Sequence, residues 1–384
     1  MNTPCIEILN HLNAAGYESY FVGGCVRDLA LNRTPHDYDI ATQATPEQVK
    51  QVFSDSHVVD TGIRYGTVTI RHEHIPIEIT TFRADGAYSD GRRPDAVFFG
   101  QSIEIDLARR DFTVNAMAWN PERGLFDPFG GAADCQTKII RCVGEPVQRF
   151  SEDALRILRA LRFACQLGFS IESHTQAAMY ECAESLRHIA SERITAEVSA
   201  MLMSCSLRPM FNNQALFAAL APQWSALSSE GWRTLCQAIE RSDDVIVRIA
   251  MLCHNGFPKR LRLDNRTISR IKAMHRQIDL PSEPHAMAHI IAVYGVDAIR
   301  DLLTYRQAFD ETAPVDIFDN VLATFSCLNL KQLAVNGNDL LDIAQGAQIG
   351  KLLQTLLQAV IDKEVENERK ALLQFARDFY RRQF

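Results

Sequence analysis

Two aspartates separated by a single residue, Asp37 and Asp39, are the first candidates for chemistry in this chain. In an extended segment residues i and i+2 point to one face, so their carboxylates would lie side by side. Such a pair repels unless a cation neutralises it, and hard oxygen donors favour Mg²⁺. Upstream lies Phe21-Val-Gly-Gly-Cys-Val-Arg-Asp28, in which Gly23-Gly24 joins a short apolar run, 19–22, to a helix starting near Cys25. Two glycines let the backbone approach a ligand closely, and the new helix offers unpaired N–H groups, which together make a seat for an anion. Alone, Gly-Gly before a helix is a turn and Asp-x-Asp is a solvated strand face. Combined in one strand–helix–strand unit, they point to nucleotidyl transfer.

Further residues extend that chemistry. Glu78 lies in an apolar strand pattern, where Ile77, Ile79 and Thr81 face one way and Glu78 and Thr80 the other, and is either a candidate third metal ligand or part of a solvated sheet face. Arg109 and Arg110 enter an apolar, helix-like stretch reaching Asn115 and fit a triphosphate or ribose. Asp153, Arg156, Arg159 and Arg162 recur every three residues on one side of a helix, opposite Leu155, Leu158, Leu161 and Cys165. An Asp–Arg pair at that spacing is often mere surface pairing, but three arginines in a stripe are more than pairing needs. Downstream, Arg262, Arg266 and Arg270 stand four apart, as on one helical face, in a basic cluster that fits either a solvated helix or a surface tracking RNA phosphates.

The elements that must position these groups follow from punctuation and periodicity. The first 18 residues read as an amphipathic helix ending at Gly16. Thr45-Pro46-Glu47-Gln48 is a helix start with a capping box, and that helix should reach Phe53. Segments 66–71 and 75–82 read as two strands. Segment 84–100, with Asp85, Tyr88, Asp90, Arg92 and Arg93, reads as a mobile loop over the site, and Asp127-Pro-Phe-Gly-Gly131 as a tight turn. Ser151 reads as an N-cap with Glu152 and Asp153 in the first turn. From there strand signals vanish. Segment 333–384, with Gly337, Gly346 and Gly350 between short helices and then a long charged helix, reads as a separate small tail.

Composition bounds the rest. A chain of 384 residues can bury a sizeable core in one to three domains. Its hydrophobic content of 47% and charged content of 23% are those of a globular protein. No apolar run approaches the roughly 18 residues of a membrane span, and the N-terminus lacks a signal-like segment. The 10 cysteines are scattered without Cys-x-x-Cys, so neither a disulfide framework nor a zinc site is indicated, and a cytoplasmic location is expected. The net charge of −7 argues weakly against nucleic acid, but it averages over local basic clusters.

The ordered motifs resemble class II tRNA nucleotidyltransferases, the family of bacterial CCA-adding enzymes and poly(A) polymerases. They are Gly23-Gly24-x-Val26-Arg27-Asp28, Asp37-x-Asp39-Ile-Ala-Thr42, Arg109-Arg110-Asp111-Phe-Thr-x-Asn115-Ala-Met117, Asp127-Pro-x-Gly130-Gly131 and Glu152-Asp153-x-x-Arg156-x-x-Arg159-x-x-Arg162-Phe163. Ser191-Glu-Arg-Ile-x-x-Glu197 extends the match, which is strong over about 18–200 and looser beyond. The resemblance implies an α+β seahorse-like molecule: a head with a small mixed β-sheet at 1–138, a neck at 139–205 for base recognition, then an all-helical body at 206–325 and tail at 326–384 that bind tRNA. It implies that Asp37 and Asp39 hold two Mg²⁺ ions and that Gly24 and Arg27 contact the triphosphate. Arg110 would contact the nucleotide, Asp153 and Arg156 would read the base, and Arg159 and Arg162 would support the phosphates or that reading.

The implied base reading is chemically coherent. An ionised Asp only accepts hydrogen bonds and an Arg only donates. Cytosine and adenine both present an amino donor beside a ring-nitrogen acceptor, whereas uracil and guanine place a carbonyl oxygen where the amino group would be, against the carboxylate. The expected function is thus addition of C, C and A to the tRNA 3′ end from CTP and ATP, with no membrane and no obligate protein partner. The alternatives are an A-only enzyme, a poly(A) polymerase or a non-catalytic tRNA-binding protein. Two departures from the family pattern stand out: Asn32 replaces a glycine after the first helix of the motif, where a residue tolerant of positive φ is needed, and Tyr65 precedes Gly66-Thr67 where a histidine is frequent. Downstream, no His-Asp pair of the kind a fused metal phosphohydrolase needs is present.

Overall fold

The computed structural model describes residues 3–383 except 36, 74, 87–94, 101, 205, 221, 255, 257–259 and 310–312. The chain forms two compact units, one of residues 1–232 with 258–262 and one of 233–257 with 263–384. Among the described residues, the first carries all the strands.

In that unit, helix α1 (Thr3–Ala14) buries Cys5, Ile8, Leu9 and Leu12 and leads into β1 (Ser19–Val22). A sharp turn at Gly23 starts α2 (Gly24–Ala30), and the chain returns in β2 (Tyr38–Thr42). Asn32 adopts φ +55° after α2, so the turn survives without a glycine there. Helix α3 (Pro46–Val52) starts at the capping box expected from Thr45 and Gln48 and ends at Phe53. Strands β3 (Val58–Gly62), β4 (Thr67–His72) and β5 (Ile75–Thr81) complete one side of the sheet. In β5, Ile77, Ile79 and Thr81 are buried while Glu78 is exposed, the alternation expected of a half-covered strand.

The ends of the expected loop 84–100 pair with each other as β6 (Arg83–Asp85) and β7 (Val97–Phe99). Tyr88, Asp90, Arg92 and Arg93 lie outside the described residues. Helix α4 (Ile103–Ala108) stops before the two arginines, so Arg109 and Arg110 follow a helix end rather than enter a longer helix. The short strands β8 (Ala118–Asn120) and β9 (Gly124–Phe126) close the sheet, whose order is β3-β4-β5-β2-β1-β8-β9. Within this sheet, among the described residues, β2–β5 pair in parallel and the other neighbours pair antiparallel.

Helix α5 (Gly131–Thr137) begins at the turn marked by Asp127, whose carboxylate accepts hydrogen bonds from the Gly131 and Ala132 amides at 2.8 and 2.9 Å. Then come β10 (Ile139–Ile140), α6 (Pro146–Glu152) and α7 (Leu155–Leu167). Strand signals do not quite vanish: β11 (Ser170–Ile171) pairs in parallel with β10. Ser151 is not an N-cap. Pro146 starts α6 earlier, Ser151 lies in its last turn with Oγ donating to the Val147 carbonyl, and Asp153 ends the helix in an extended conformation. Helices α8 (Ser173–Glu181) and α9 (Ser191–Leu202) follow.

The second unit is helical, with one core running from Ile278 to Ala376. Met287, Ile291, Leu302 and Phe318 share it with Leu340, Leu356, Leu357 and Leu372. That core includes residues of the segment from 333, and the chain passes between the two units at 232–233, 257–258 and 262–263. Gly350 sits inside helix Ala347–Ile361 rather than between helices, and the last helix is Arg369–Gln383.

Candidate active site

Asp39 is held in β2 between Val22 of β1 and Glu78 of β5. Asp37 is exposed and precedes the strand, so only Asp39 is strand-borne. The three carboxylates nevertheless act on one another. Burial pushes the Asp39 carboxyl up from 3.8 to about 6; Arg110 opposes the rise, and the charges of Glu78 and Asp37 add to it. A set of hard oxygen donors that repel one another is chemically suited to a divalent cation.

Gly23 is where the backbone gives way to these groups. Its φ is +73°, and a Cβ there would lie 3.1 Å from Arg110 Nη1 and 3.7 Å from Asp39 Oδ2. A side chain at this position would be strained by the backbone angle and would crowd both charged groups. One turn on, Arg27 is fixed by its own neighbour and by the short helical turn Thr113–Asn115: Nε and Nη2 donate to Asp28 Oδ1 at 3.0 and 2.9 Å, and Nη1 to Asn115 Oδ1 at 2.8 Å.

Arg109 and Arg110 are tethered by a buried acid that sequence reasoning did not single out. Asp106 Oδ1 accepts Arg109 Nη2 at 2.8 Å, and Oδ2 accepts Arg110 Nη2 at 3.2 Å. Burial alone would raise the Asp106 carboxyl; Arg110 and Arg109 more than offset this and hold it below the usual carboxylate range.

The stripe on α6 and α7 is pinned residue by residue. The Arg156 amide donates to the Asp153 carbonyl at 3.0 Å, while the Asp153 carboxylate is held from elsewhere. That carboxylate takes two bonds from Arg193 of α9, at 3.1 and 2.7 Å, and accepts the Leu155 amide at 3.1 Å. Arg156 Nη1 donates to Glu152 Oε2 at 2.7 Å and to the Arg149 carbonyl at 3.0 Å, while Nη2 donates to the Arg109 carbonyl at 3.1 Å. Arg159 grips Asp111 Oδ2 through Nε and Nη2, at 2.8 and 2.7 Å. Arg162 Nε donates to Glu197 Oε2 at 2.6 Å. Burial would raise the Asp111 carboxyl, but Arg159 foremost keeps it below its usual range. Surface pairing within one helix does not describe this stripe, because its partners come from three other segments.

Gly24, Arg27, Asp37, Asp39, Arg110, Asp153, Arg156, Arg159 and Arg162 all line one cleft of about 870 Å³. Glu78 does not line it; its link to the site is its electrostatic effect on Asp39 across the strand pair. The cleft also includes Arg109, Asp111, Asn115, Phe163 and Gln166.

The candidate RNA-binding arginines are not one helical face. Asp264 caps helix Asn265–Met274, which leaves Arg262 outside it, in an ion pair with Glu192 at 2.8 Å. Arg270 is bound by both oxygens of Asp301 at 2.7 Å, and that bonding raises its basicity further. Arg266 is exposed, and among the described residues no ion pair engages it.

Similarity to known proteins agrees with this geometry. The Poly A polymerase head domain model matches residues 19–141, the model for a probable RNA- and SrmB-binding site of polymerase A matches 168–226, and a putative tRNA nucleotidyltransferase domain 2 model matches 239–376. The CCA-adding enzyme of Lactiplantibacillus plantarum is 37% identical over 96% of this chain and 94% of its own length. The chain belongs to the CCA-adding enzyme family. The CCA-adding enzyme of Geobacillus thermodenitrificans is 35% identical over the same shares of both chains. The crystal structure of the Bacillus stearothermophilus CCA-adding enzyme in complex with CTP has a TM-score of 0.81 and 32% identity, covering 100% of this chain and 99% of that one. A Thermotoga maritima CCA-adding enzyme complexed with tRNA, at 21% identity and a TM-score of 0.65, shares the fold. Members of the family are tRNA nucleotidyltransferases that work with a divalent metal ion.

Proposed function

We propose that the protein adds C, C and A in turn to the tRNA 3′ end, using CTP and ATP, releasing pyrophosphate and needing no nucleic-acid template. The observation that carries this reading is the cleft itself, where paired carboxylates, triphosphate-suited arginines and a fixed Asp–Arg set converge.

In this reading Asp37 and Asp39 hold two Mg²⁺ ions, and Glu78 tunes Asp39 from the adjacent strand. Such ions would lower the pKa of the attacking 3′-hydroxyl and stabilise the pyrophosphate leaving group. Arg27 and Arg110, each already oriented by an acid, meet the triphosphate with little reorganisation, beside Gly24. Arg193 orients the Asp153 carboxylate, which accepts the amino group that cytosine and adenine share. Glu152 and two backbone carbonyls fix the plane of the Arg156 guanidinium, which donates to the adjacent ring nitrogen. UTP and GTP would set a carbonyl oxygen against the Asp153 carboxylate, an acceptor facing an acceptor with no proton between them. Arg159 and Arg162, locked to Asp111 and Glu197, support that reading. The helical remainder beyond 205 holds the tRNA, with Arg266 on its exposed surface. A cytoplasmic location is consistent with the free cysteines among the described residues; among those residues no helix is long and apolar enough to cross a membrane.

The test is incubation with tRNAs ending at the discriminator base, at C or at C-C, with CTP and ATP singly and together. Completion of C-C-A on all three tRNAs is expected when both nucleotides are present, and with ATP alone only on the tRNA ending in C-C. Incorporation of A on tRNA ending in C-C with no incorporation of C on the two shorter tRNAs, long A tails on unrelated RNA, or no incorporation would each replace the reading with one of its alternatives.

A further inference from the structure

Away from the cleft, in the second unit, three metal-ligating side chains meet. His285 and His289 stand one turn apart on helix Pro284–Tyr294, and both aim Nε2 at the same oxygen of Asp362, at 3.0 and 2.7 Å. Their ligand atoms all lie within 4.8 Å of one another. Among the described residues neither lysine nor arginine forms an ion pair with Asp362.

The donor set has a definite preference. Two imidazoles and one carboxylate suit Zn²⁺ and its neighbours in the first transition row, whereas Mg²⁺ takes oxygen ligands. In tetrahedral zinc, ligand atoms about 2.0–2.1 Å from the ion stand about 3.3 Å apart, so the 3.0 and 2.7 Å separations to Asp362 need only sub-ångström relaxation to admit one. Asp362 caps the C-terminus of helix Ala347–Ile361, where the helix dipole presents partial negative charge and favours a cation. The three side chains remain partly open to solvent, at 46%, 32% and 33% exposure, which leaves an entry path and room for water as a fourth ligand.

We propose that His285, His289 and Asp362 form a binding site for a zinc-class divalent ion, separate from the carboxylate cleft. It would clasp the start of helix Pro284–Tyr294 to the end of helix Ala347–Ile361, and it is independent of the nucleotidyl-transfer reading.

The experiment uses the full chain, stripped with chelator and titrated with Zn²⁺ in excess Mg²⁺, with Co²⁺ as a spectroscopic probe. Wild type should take up one equivalent and give the visible ligand-field bands of imidazole-bound Co²⁺, which Zn²⁺ displaces. Affinity should fall tenfold or more in His289→Ala and in Asp362→Asn. His285→Gln should behave likewise; all three lie at the surface, and circular dichroism checks that they fold. The double variant Asp37→Asn/Asp39→Asn should keep the uptake, which separates this site from the cleft. Absence of uptake by wild type, or equal uptake in the His289 and Asp362 variants, would overturn the proposal and leave a carboxylate bridged by imidazole N–H groups.

Discussion

Asp39 concentrates the electrostatic tension of the cleft. Its carboxyl is raised from 3.8 to about 6, so between those values the folded protein binds more protons than the unfolded chain. Stability then falls as pH rises through that window and stays lowered above it. At about 1.4 kcal/mol per pH unit of displacement, the cost is on the order of 3 kcal/mol in cation-free protein. Asp39→Asn should therefore abolish transfer and raise the melting temperature at pH 8, with the gain gone at pH 3.5. Added divalent cation should stabilise wild type but not the variant. Equal melting temperatures at pH 8 would sink the idea. Arg193 supplies a second prediction. It is the bidentate partner of Asp153, yet it comes from 40 residues downstream. Arg193→Ala should lower kcat/KM for both CTP and ATP by about 10²-fold through misplacement of that carboxylate, and should narrow the margin against UTP and GTP. Arg193→Lys should restore part of the loss. Assays with each nucleotide singly would reveal a merely structural role as unchanged selectivity. At this scale the reactive groups were legible because each sits in a local motif. Their tethers were not: Asp111, Arg193 and Glu197 meet their partners only when distant segments come together, and Asp106, though three and four residues from the arginines it holds, shows its burial only in the fold.

At the scale of elements, turns decide where these side chains point. Legibility here followed local signals. Thr45 to Gln48 marked α3 correctly because a capping box is a four-residue code, and the alternation in β5 showed which way Glu78 faces. Strands β8 and β9 escaped notice because each is three residues long, too short to display alternation. The Ser151 start was misjudged because a serine before two acids imitates a helix N-terminus, while Pro146 had already begun α6. The real break at Asp153 has a use: it lifts the residue out of helical register, and its side chain lines the cleft beside Arg156. Gly131 offers a sharper test of the turns. A Cβ there would come 2.2 Å from the Thr113 carbonyl oxygen, a backbone atom that cannot swing aside. Gly131→Ala should push α5 off the segment bearing Asp111 and Asn115, costing about 1–3 kcal/mol as overpacking does. Denaturant unfolding would register the change; an unaltered midpoint would mean the contact relaxes freely.

For the molecule as a whole, charge bears on function through location more than through its sum. The net charge of −7 would disfavour an RNA partner if it were evenly spread. The second unit keeps its basic residues apart in role. Arg270 is committed to Asp301, a bidentate pair joining helix Asn265–Met274 to helix Val296–Phe309, whereas exposed Arg266 is unengaged by any ion pair among the described residues. Sequence spacing could not separate them, since residues four apart look equivalent on a helix until their neighbours are known. Charge reversal distinguishes them. Arg266→Glu should weaken tRNA binding, reduce the slope of log affinity against log salt by about 1, and leave unfolding unchanged. Arg270→Glu should set two acids against each other at Asp301, lower the unfolding midpoint, and weaken tRNA binding only in proportion to the protein left folded. Filter binding across a salt series, paired with thermal unfolding of both variants, reads the two effects. An Arg266→Glu slope identical to that of wild type would mean that this face is solvated surface, and the phosphate contacts would then have to come from other residues of the helical remainder.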